Sequence, residues 1–301
     1  MTTDSPEPTA TDATRILIDA LNLRRLISIV DIGANPIDGT PPYKPLLDMG
    51  IGRVTGFEPQ VEALGRLVAA QGPNETYLPY AVGDGAEHTL YQCYTSGMTS
   101  LLEPDPAALA LFNALPRWGE VIKTQLIATR RLDEIEEVDA VDYLKIDVQG
   151  SELSVFKGGR GKLRSAVAIH TEVSFVTLYR EQPVFGEIDL SLRSLGFLPH
   201  AFAAIKRLAI APTLINNNIY SGLNQLLEAD VVYVRDFRDA AQLSDDQLKT
   251  LATIAQCCYG SYDLAIRCLL VLAKRGAVDP GAPAAFVEGL KRSPLIRAIA
   301  T

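Results

Sequence analysis

The run Ile27-Ser28-Ile29-Val30-Asp31-Ile32-Gly33-Ala34-Asn35 constrains this chain more than any other stretch. Ile27 to Ile32 is short, apolar and rich in β-branched residues, the pattern of a buried strand. It breaks into Gly33-Ala34-Asn35, where small residues allow a sharp turn and a close approach of a ligand to the backbone. A second run, Arg53 to Phe57, ends on the carboxylate of Glu58. In a doubly wound sheet, ligands sit outside the carboxyl ends of adjacent strands, and an acid ending the second strand can hold ribose hydroxyls. A glycine turn followed by a carboxylate outlines a nucleoside site.

The ligand is narrowed by what the turn lacks. A dinucleotide fingerprint needs G-x-G-x-x-G, and here only Gly33 falls in place before Ala34, Asn35 and Pro36. Pro36 also removes an N–H where a phosphate would want a donor. Asp31 puts an anion beside the turn, which suits a cationic or zwitterionic ligand better than a pyrophosphate. S-adenosylmethionine, with a sulfonium, an ammonium and a ribose but no phosphate, fits better than NAD.

Four further stretches follow in order: Gly56-Phe57-Glu58-Pro59, Ala81-Val82-Gly83-Asp84, Leu144 to Glu152 (Leu-Lys-Ile-Asp-Val-Gln-Gly-Ser-Glu), and Thr171 to Phe175 with Leu178-Tyr179. With Asp31 to Asn35 they resemble the successive motifs of the FkbM-type S-adenosylmethionine-dependent methyltransferases, over roughly residues 28–237. The chain departs from that family between Pro36 and Pro45, where four prolines lengthen and stiffen the first loop. The resemblance implies a class I, Rossmann-like α/β fold, doubly wound and mostly parallel with its last strand antiparallel. It also implies a methyl acceptor that is a hydroxyl on a sugar, glycan precursor or natural product.

The expected cofactor contacts are Asp31, Gly33, Asn35 and Glu58, with Asp84 and Ser100 added. The family pattern carries Asp84 to the adenine amino group, while Gly83-Asp84-Gly85 is equally good turn chemistry. Ser100 could donate to the cofactor or cap a local turn. Asp147, at the carboxyl end of the strand Asp142 to Val148, is the first catalytic candidate. Glu172 and His200 follow it. Asp147 with Glu172 or Glu152 could also hold Mg²⁺ through oxygen ligands, although no compact spacing demands it. Lys145, inside the same apolar strand, needs a partner, and Asp147 or Glu172 could supply it. His170 shares a strand face with Glu172 and reads as structural.

Residues 1–12 are expected to be disordered, 13–238 to form the methyltransferase domain and 239–301 a helical extension, which could dimerise or cover the acceptor site. Tyr77 to Val82 reads as the third strand, Pro104 to Trp118 as a mobile insertion near the site, and Phe197 to Ala203 with Lys206 to Ile210 as a β-hairpin or paired strands. A net charge of −8 argues against a nucleic-acid partner. No apolar run approaches the ~20 residues of a membrane span, and the N-terminus lacks the pattern of a signal peptide. Four cysteines in unhelpful spacings point to a reduced, cytoplasmic setting rather than a disulfide or zinc scaffold. Two other readings stay open: a nucleoside-binding scaffold working through its helical extension, and a nicotinamide-dependent oxidoreductase, disfavoured by the missing glycines.

Overall fold

The structure, a computed structural model, describes residues 12–35 and 39–291. Most of the N-terminal segment expected to be disordered, and Pro36, lie outside the described residues. In chain order the elements begin with α1 (Asp12–Leu21), β1 (Ile27–Ile32), α2 (Lys44–Asp48), β2 (Gly52–Phe57), α3 (Val61–Ala70), β3 (Glu75–Leu78) and β4 (Ala81–Val82). Next come β5 (Glu87–Cys93), α4 (Pro106–Leu109), α5 (Leu115–Trp118), β6 (Val121–Arg130), β7 (Tyr143–Ile146), α6 (Glu152–Gly158) and β8 (Ala168–Ser174). The chain closes with α7 (Phe185–Ser194), β9 (Phe197–Arg207), β10 (Leu226–Arg235), α8 (Asp245–Tyr259), α9 (Tyr262–Lys274) and α10 (Ala282–Lys291).

These elements form two compact units. One comprises the described residues within 28–39 and 54–235, the other those within 1–27, 40–53 and 236–301. The first unit is built on a seven-stranded sheet of order β3-β2-β1-β7-β8-β10-β9. The pairs β2–β3, β1–β7 and β7–β8 are parallel, and β10 runs antiparallel to both of its neighbours. The sheet is mostly parallel with its last strand reversed, the arrangement the resemblance implied. One face is apolar: Val30, Ile32, Leu144, Ile146, Ile169, Val173, Ala229, Val231 and Tyr233 pack with Val155, Phe156, Ile188 and Leu192 of α6 and α7 into one core. Alternate residues of the same strands point to the opposite face, and several of those are charged.

Three local expectations are corrected. Tyr77 to Val82 is not one strand, because Pro79 cannot donate to a ladder and β3 ends at Leu78. β4 then joins β6 and β5 in a separate three-stranded sheet. Phe197 to Ile210 is not a pair of strands; Phe197–Arg207 is one long strand, β9, on β10. The segment around α4 and α5, expected to be a mobile insertion, carries a core of its own. Leu109, Phe112 and Leu115 are buried against Leu178, Tyr179, Leu208 and Leu227, and Trp118 stacks on Tyr220 at 5.4 Å.

In the other unit α8 packs on α9, α1 packs on α8 and α10, and α2 packs on α8. Gly289 of α10 leaves room for Ala13 of α1, since a Cβ there would stand 3.2 Å from the Ala13 Cα. Ser244 and Gln247 close a capping box at the start of α8, and Gly260 ends it in a left-handed turn at φ 61°. Thus α1 keeps company with the C-terminal helices, whereas the sequence reading grouped it with the sheet. The four cysteines are free, and Cys93, Cys257 and Cys268 are buried. Among the described residues no helix is long and apolar enough to cross a membrane.

Candidate active site

β1 and β7 end side by side, and the backbone there is tightly clasped. The Asp147 N–H donates to the Ile32 carbonyl at 3.0 Å, and the N–H groups of Gly33 and Ala34 both donate to the Phe57 carbonyl at 3.1 Å. Gly33 turns the chain at φ 77°, and a Cβ on it would lie 1.9 Å from the Asp147 carbonyl oxygen. Only glycine fits. β2 delivers Glu58 one residue after Phe57, where its Oε1 accepts the Gln60 N–H at 2.7 Å. Glu58 is 2% exposed, and burial lifts its carboxyl above the ordinary value.

These strand ends open on a cleft of about 760 Å³, solvent at its mouth included. Its lining includes Gly33, Asn35, Glu58, Tyr80, Val82, Leu90, Ser100, Asp147, Val148 and Gln149. Its lining is mainly apolar with a few convergent polar groups, the make-up of a small-molecule site. Among the described residues that line it, none is Lys, Arg or His. Behind the lining, the Lys145 ammonium donates to the Gly33 carbonyl at 3.2 Å, and the Arg130 guanidinium lies 3.6 Å over the Tyr80 ring.

Five of the expected residues therefore meet in one cleft: Gly33, Asn35, Glu58, Ser100 and Asp147. The Ser100 hydroxyl donates to the Gln149 carbonyl at 2.7 Å and accepts the Leu102 N–H at 2.9 Å, so it ties two loops together. The other four stand elsewhere. Asp31 is 2% exposed and faces Lys145 at 3.4 Å, its register partner on β7. Lys145 thus finds its counter-charge in Asp31 rather than in Asp147 or Glu172, and the negative charge expected beside the turn is balanced. The Asp84 carboxylate accepts the Ala86 N–H at 2.9 Å and sits 2.8 Å from His88 Nε2, in the turn before β5. His200 lies in the body of β9. Its neighbours Pro199 and Ala201 are level with Ile169 and His170 of β8, and so with Leu144 and Lys145 of β7, two to three residues short of Asp147 and three strands across the sheet from it. Glu172 faces the charged side of the sheet and reaches the cleft only through Gln149, whose amide donates to it at 3.0 Å.

Comparison with known families now decides the assignment. The sequence model of the methyltransferase FkbM domain matches residues 31–199, more than half of the 301-residue chain. The chain belongs to the FkbM methyltransferase family. The matched stretch runs from the glycine turn through Glu58 and Asp147 to the start of β9, and leaves α8 to α10 outside it. Among solved structures, the magnesium protoporphyrin IX methyltransferase from Synechocystis PCC 6803 with bound S-adenosylmethionine is similar at 12% identity and a TM-score of 0.36, covering 74% of this chain and 76% of that one. The precorrin-6y C5,15-methyltransferase from Geobacter metallireducens GS-15 is similar at 11% and 0.36, covering 74% and 87%. No curated protein sequence matches.

Around the FkbM cleft the sheet carries an array of ionisable groups. His170 Nε2 stands 4.0 Å from Asp230, and Lys206 pairs with Glu228. Burial, with Lys145 nearby, lowers His170 to about 4, so it stays a neutral imidazole near pH 7. Burial raises Asp230 to about 6, and burial with the nearby Glu228 and Asp147 pushes Glu172 well above the carboxylate range. Carboxylate oxygens of Asp147, Glu152 and Glu172 lie within 4.8 Å of one another. Glu152 Oε1 is already taken by the N–H groups of Val148 at 2.9 Å and Gly150 at 3.3 Å, and the Gln149 amide occupies the other two. One oxygen of each of the three carboxyl groups is thus hydrogen-bonded within the protein, and nothing in these contacts calls for the divalent cation considered above.

Glu152 yields a pH prediction. Burial raises its carboxyl from 4.5 to about 7 against the pull of those backbone donors. Between these values the folded FkbM domain holds a proton that the unfolded chain has released. The stability from this group is therefore full below about pH 4.5 and lost as pH rises through 7. Glu152→Gln keeps an acceptor and removes the ionisation. The stability of the variant relative to the parent should rise by up to about 3 kcal/mol between pH 5 and pH 8, read from urea unfolding at each pH. A difference independent of pH would refute the buried-carboxyl account.

Proposed function

We propose that this FkbM methyltransferase moves a methyl group from S-adenosylmethionine to a hydroxyl oxygen on a sugar, glycan precursor or natural product. The observation that carries the reading is the placement of Asp147. It opens on the same cleft as Gly33 and Glu58, and among the described residues its Oδ2 accepts no hydrogen bond from the protein. A carboxylate with an unengaged oxygen can take the proton of an incoming hydroxyl.

The bound cofactor supplies an electrophilic methyl on a sulfonium. The Gly33 turn and Asn35 would face its amino-acid end, and Glu58 would accept hydrogen bonds from the ribose. Tyr80, whose ring stacks on Phe57 at 6.2 Å and lies beneath the Arg130 guanidinium, would wall the base. Asp147 would orient the acceptor hydroxyl and receive its proton as the new C–O bond forms and the C–S bond breaks. Holding donor and acceptor in line supplies much of the acceleration, on the order of 7–11 kcal/mol in favourable cases. Among the described lining residues none is basic, which supports a ligand without a pyrophosphate over the nicotinamide reading. The family membership disfavours the scaffold reading.

Calorimetric titration with S-adenosylmethionine, with NAD in parallel, tests the donor. Binding of the first alone is expected, and Glu58→Ala should weaken it roughly 10- to 100-fold, the worth of hydrogen bonds to a charged group. Unchanged affinity in that variant would remove Glu58 from the site. Transfer of a ¹³C-labelled methyl followed by NMR then reads whether the product is a methoxy group or a methylated nitrogen.

A further inference from the structure

The residue the sequence reading passed over is Gln149. Its backbone is left-handed at φ 54°, and Gly150 after it is left-handed too, at φ 102°. A non-glycine residue in that region costs about 1–2 kcal/mol, so a turn built for stability alone would carry glycine at both positions. The side chain supplies a reason for the cost. Its Nε2 donates to Asp147 Oδ1 at 2.8 Å and to Glu172 Oε2 at 3.0 Å, and its Oε1 faces the Tyr179 hydroxyl at 3.2 Å. Its carbonyl also accepts the Ser100 hydroxyl. The two acids on one side and the Tyr179 hydroxyl on the other set the amide with its Nε2 toward Asp147 and Glu172 and its Oε1 toward the phenol.

We propose that Gln149 is a positioning residue: it bridges Asp147 and Glu172, and so holds the Asp147 carboxylate at the cleft as the proton acceptor for methyl transfer. This rests on the function proposed above. Both N–H groups of one neutral amide are used, one for each acid, so that Asp147 and the buried Glu172 stand together on a shared donor. A glutamate here would be isosteric and would place a third acid in the group. The cluster would then have to take up a proton, and one of the two acids would lose its donor.

The charges facing this pair come from five elements. They are Lys145 on β7, His170 on β8, Glu152 at the start of α6, Glu228 and Asp230 on β10, and Lys206 on β9. Lys145 and Lys206 already pair with Asp31 and Glu228. The bridge is therefore the direct stabilising contact that Asp147 and Glu172 share.

The test is a ¹³C-carboxyl NMR titration of protein labelled at Asp and Glu, run on the parent, Gln149→Glu and Gln149→Met. The midpoints of the Asp147 and Glu172 resonances, assigned by Asp147→Asn and Glu172→Gln, should rise by about one pH unit or more in Gln149→Glu. They should also rise in Gln149→Met, which keeps the volume and loses both donors. Midpoints unmoved in folded variants would overturn the bridge. Calorimetry with S-adenosylhomocysteine on the parent separates the two readings. A parent that fails to bind it while the midpoints move removes the proposed function and the catalytic part of Gln149's role, with the bridge intact. A parent that binds while the midpoints stay still removes this inference alone.

Discussion

Gly33→Ala is expected to abolish S-adenosylmethionine binding and to cost roughly 3–5 kcal/mol of stability. The new Cβ would stand 1.9 Å from the carbonyl oxygen of Asp147, a backbone atom with no freedom to swing away. The φ of 77° adds the ordinary penalty for a side chain in left-handed backbone. Relief requires the ends of β1 and β7 to part, which breaks the Asp147 N–H bond to Ile32 and moves the carboxylate proposed above as the proton acceptor. The loss should appear both as a lower urea midpoint and as silence in calorimetry. A variant that unfolds at the parent's midpoint and binds with the parent's affinity would show that neither the clasp nor the cleft depends on this turn.

The second large effect is structural. Arg235, the last residue of β10, spends its guanidinium on main-chain oxygens. Nε reaches Ala166 at 2.9 Å, Nη1 reaches Leu195 at 2.6 Å, and Nη2 reaches Leu163 at 2.7 Å and Arg164 at 3.0 Å. It lies 4.1 Å over the Phe197 ring, and burial lowers its ionisation to about 10. One side chain thus caps the carboxyl end of α7, where the helix dipole favours a cation, and pins the entry of β8. Arg235→Met keeps the stem and strands those carbonyls, and should cost about 3–5 kcal/mol. Arg235→Lys can serve only part of the fork and should fall between. Urea unfolding gives both numbers. A loss under 1 kcal/mol for the methionine variant would mean that water replaces the guanidinium at no cost.

Much of the site could be read from the sequence because it depends on local backbone rules. A β-branched run ending in glycine, and an acid ending the next strand, place Gly33, Asn35 and Glu58 at one rim whatever surrounds them. Asp147 follows from the same rule at the fourth strand. What could not be read was the partner of each charge. Lys145 meets Asp31 because β1 and β7 lie next to each other in that register. Gln149 gathers Asp147, Glu172, Tyr179 and Ser100 because two left-handed residues turn it back over the strand end. The one available signal was a polar residue before Gly150, and it did not say where the amide would point.

β6 escaped notice for a related reason. Val121 to Arg130 interleaves Lys, Thr and Gln with apolar residues, and most of its side chains are exposed. A strand in a small sheet open to solvent lacks the strong two-residue alternation that a buried face imposes.

The sequence by itself determined the strand ends, the glycine turn and the acids placed after β2 and β7, and with them the family. Those features follow from steric limits on a few consecutive residues. The tertiary structure alone decided which acids are neutralised, which are bridged and which open on the cleft. It also decided that α1 packs with helices from the other end of the chain, and that the segment around α4 and α5 buries its leucines. These outcomes depend on register and burial between residues far apart in the chain, and no local pattern records them.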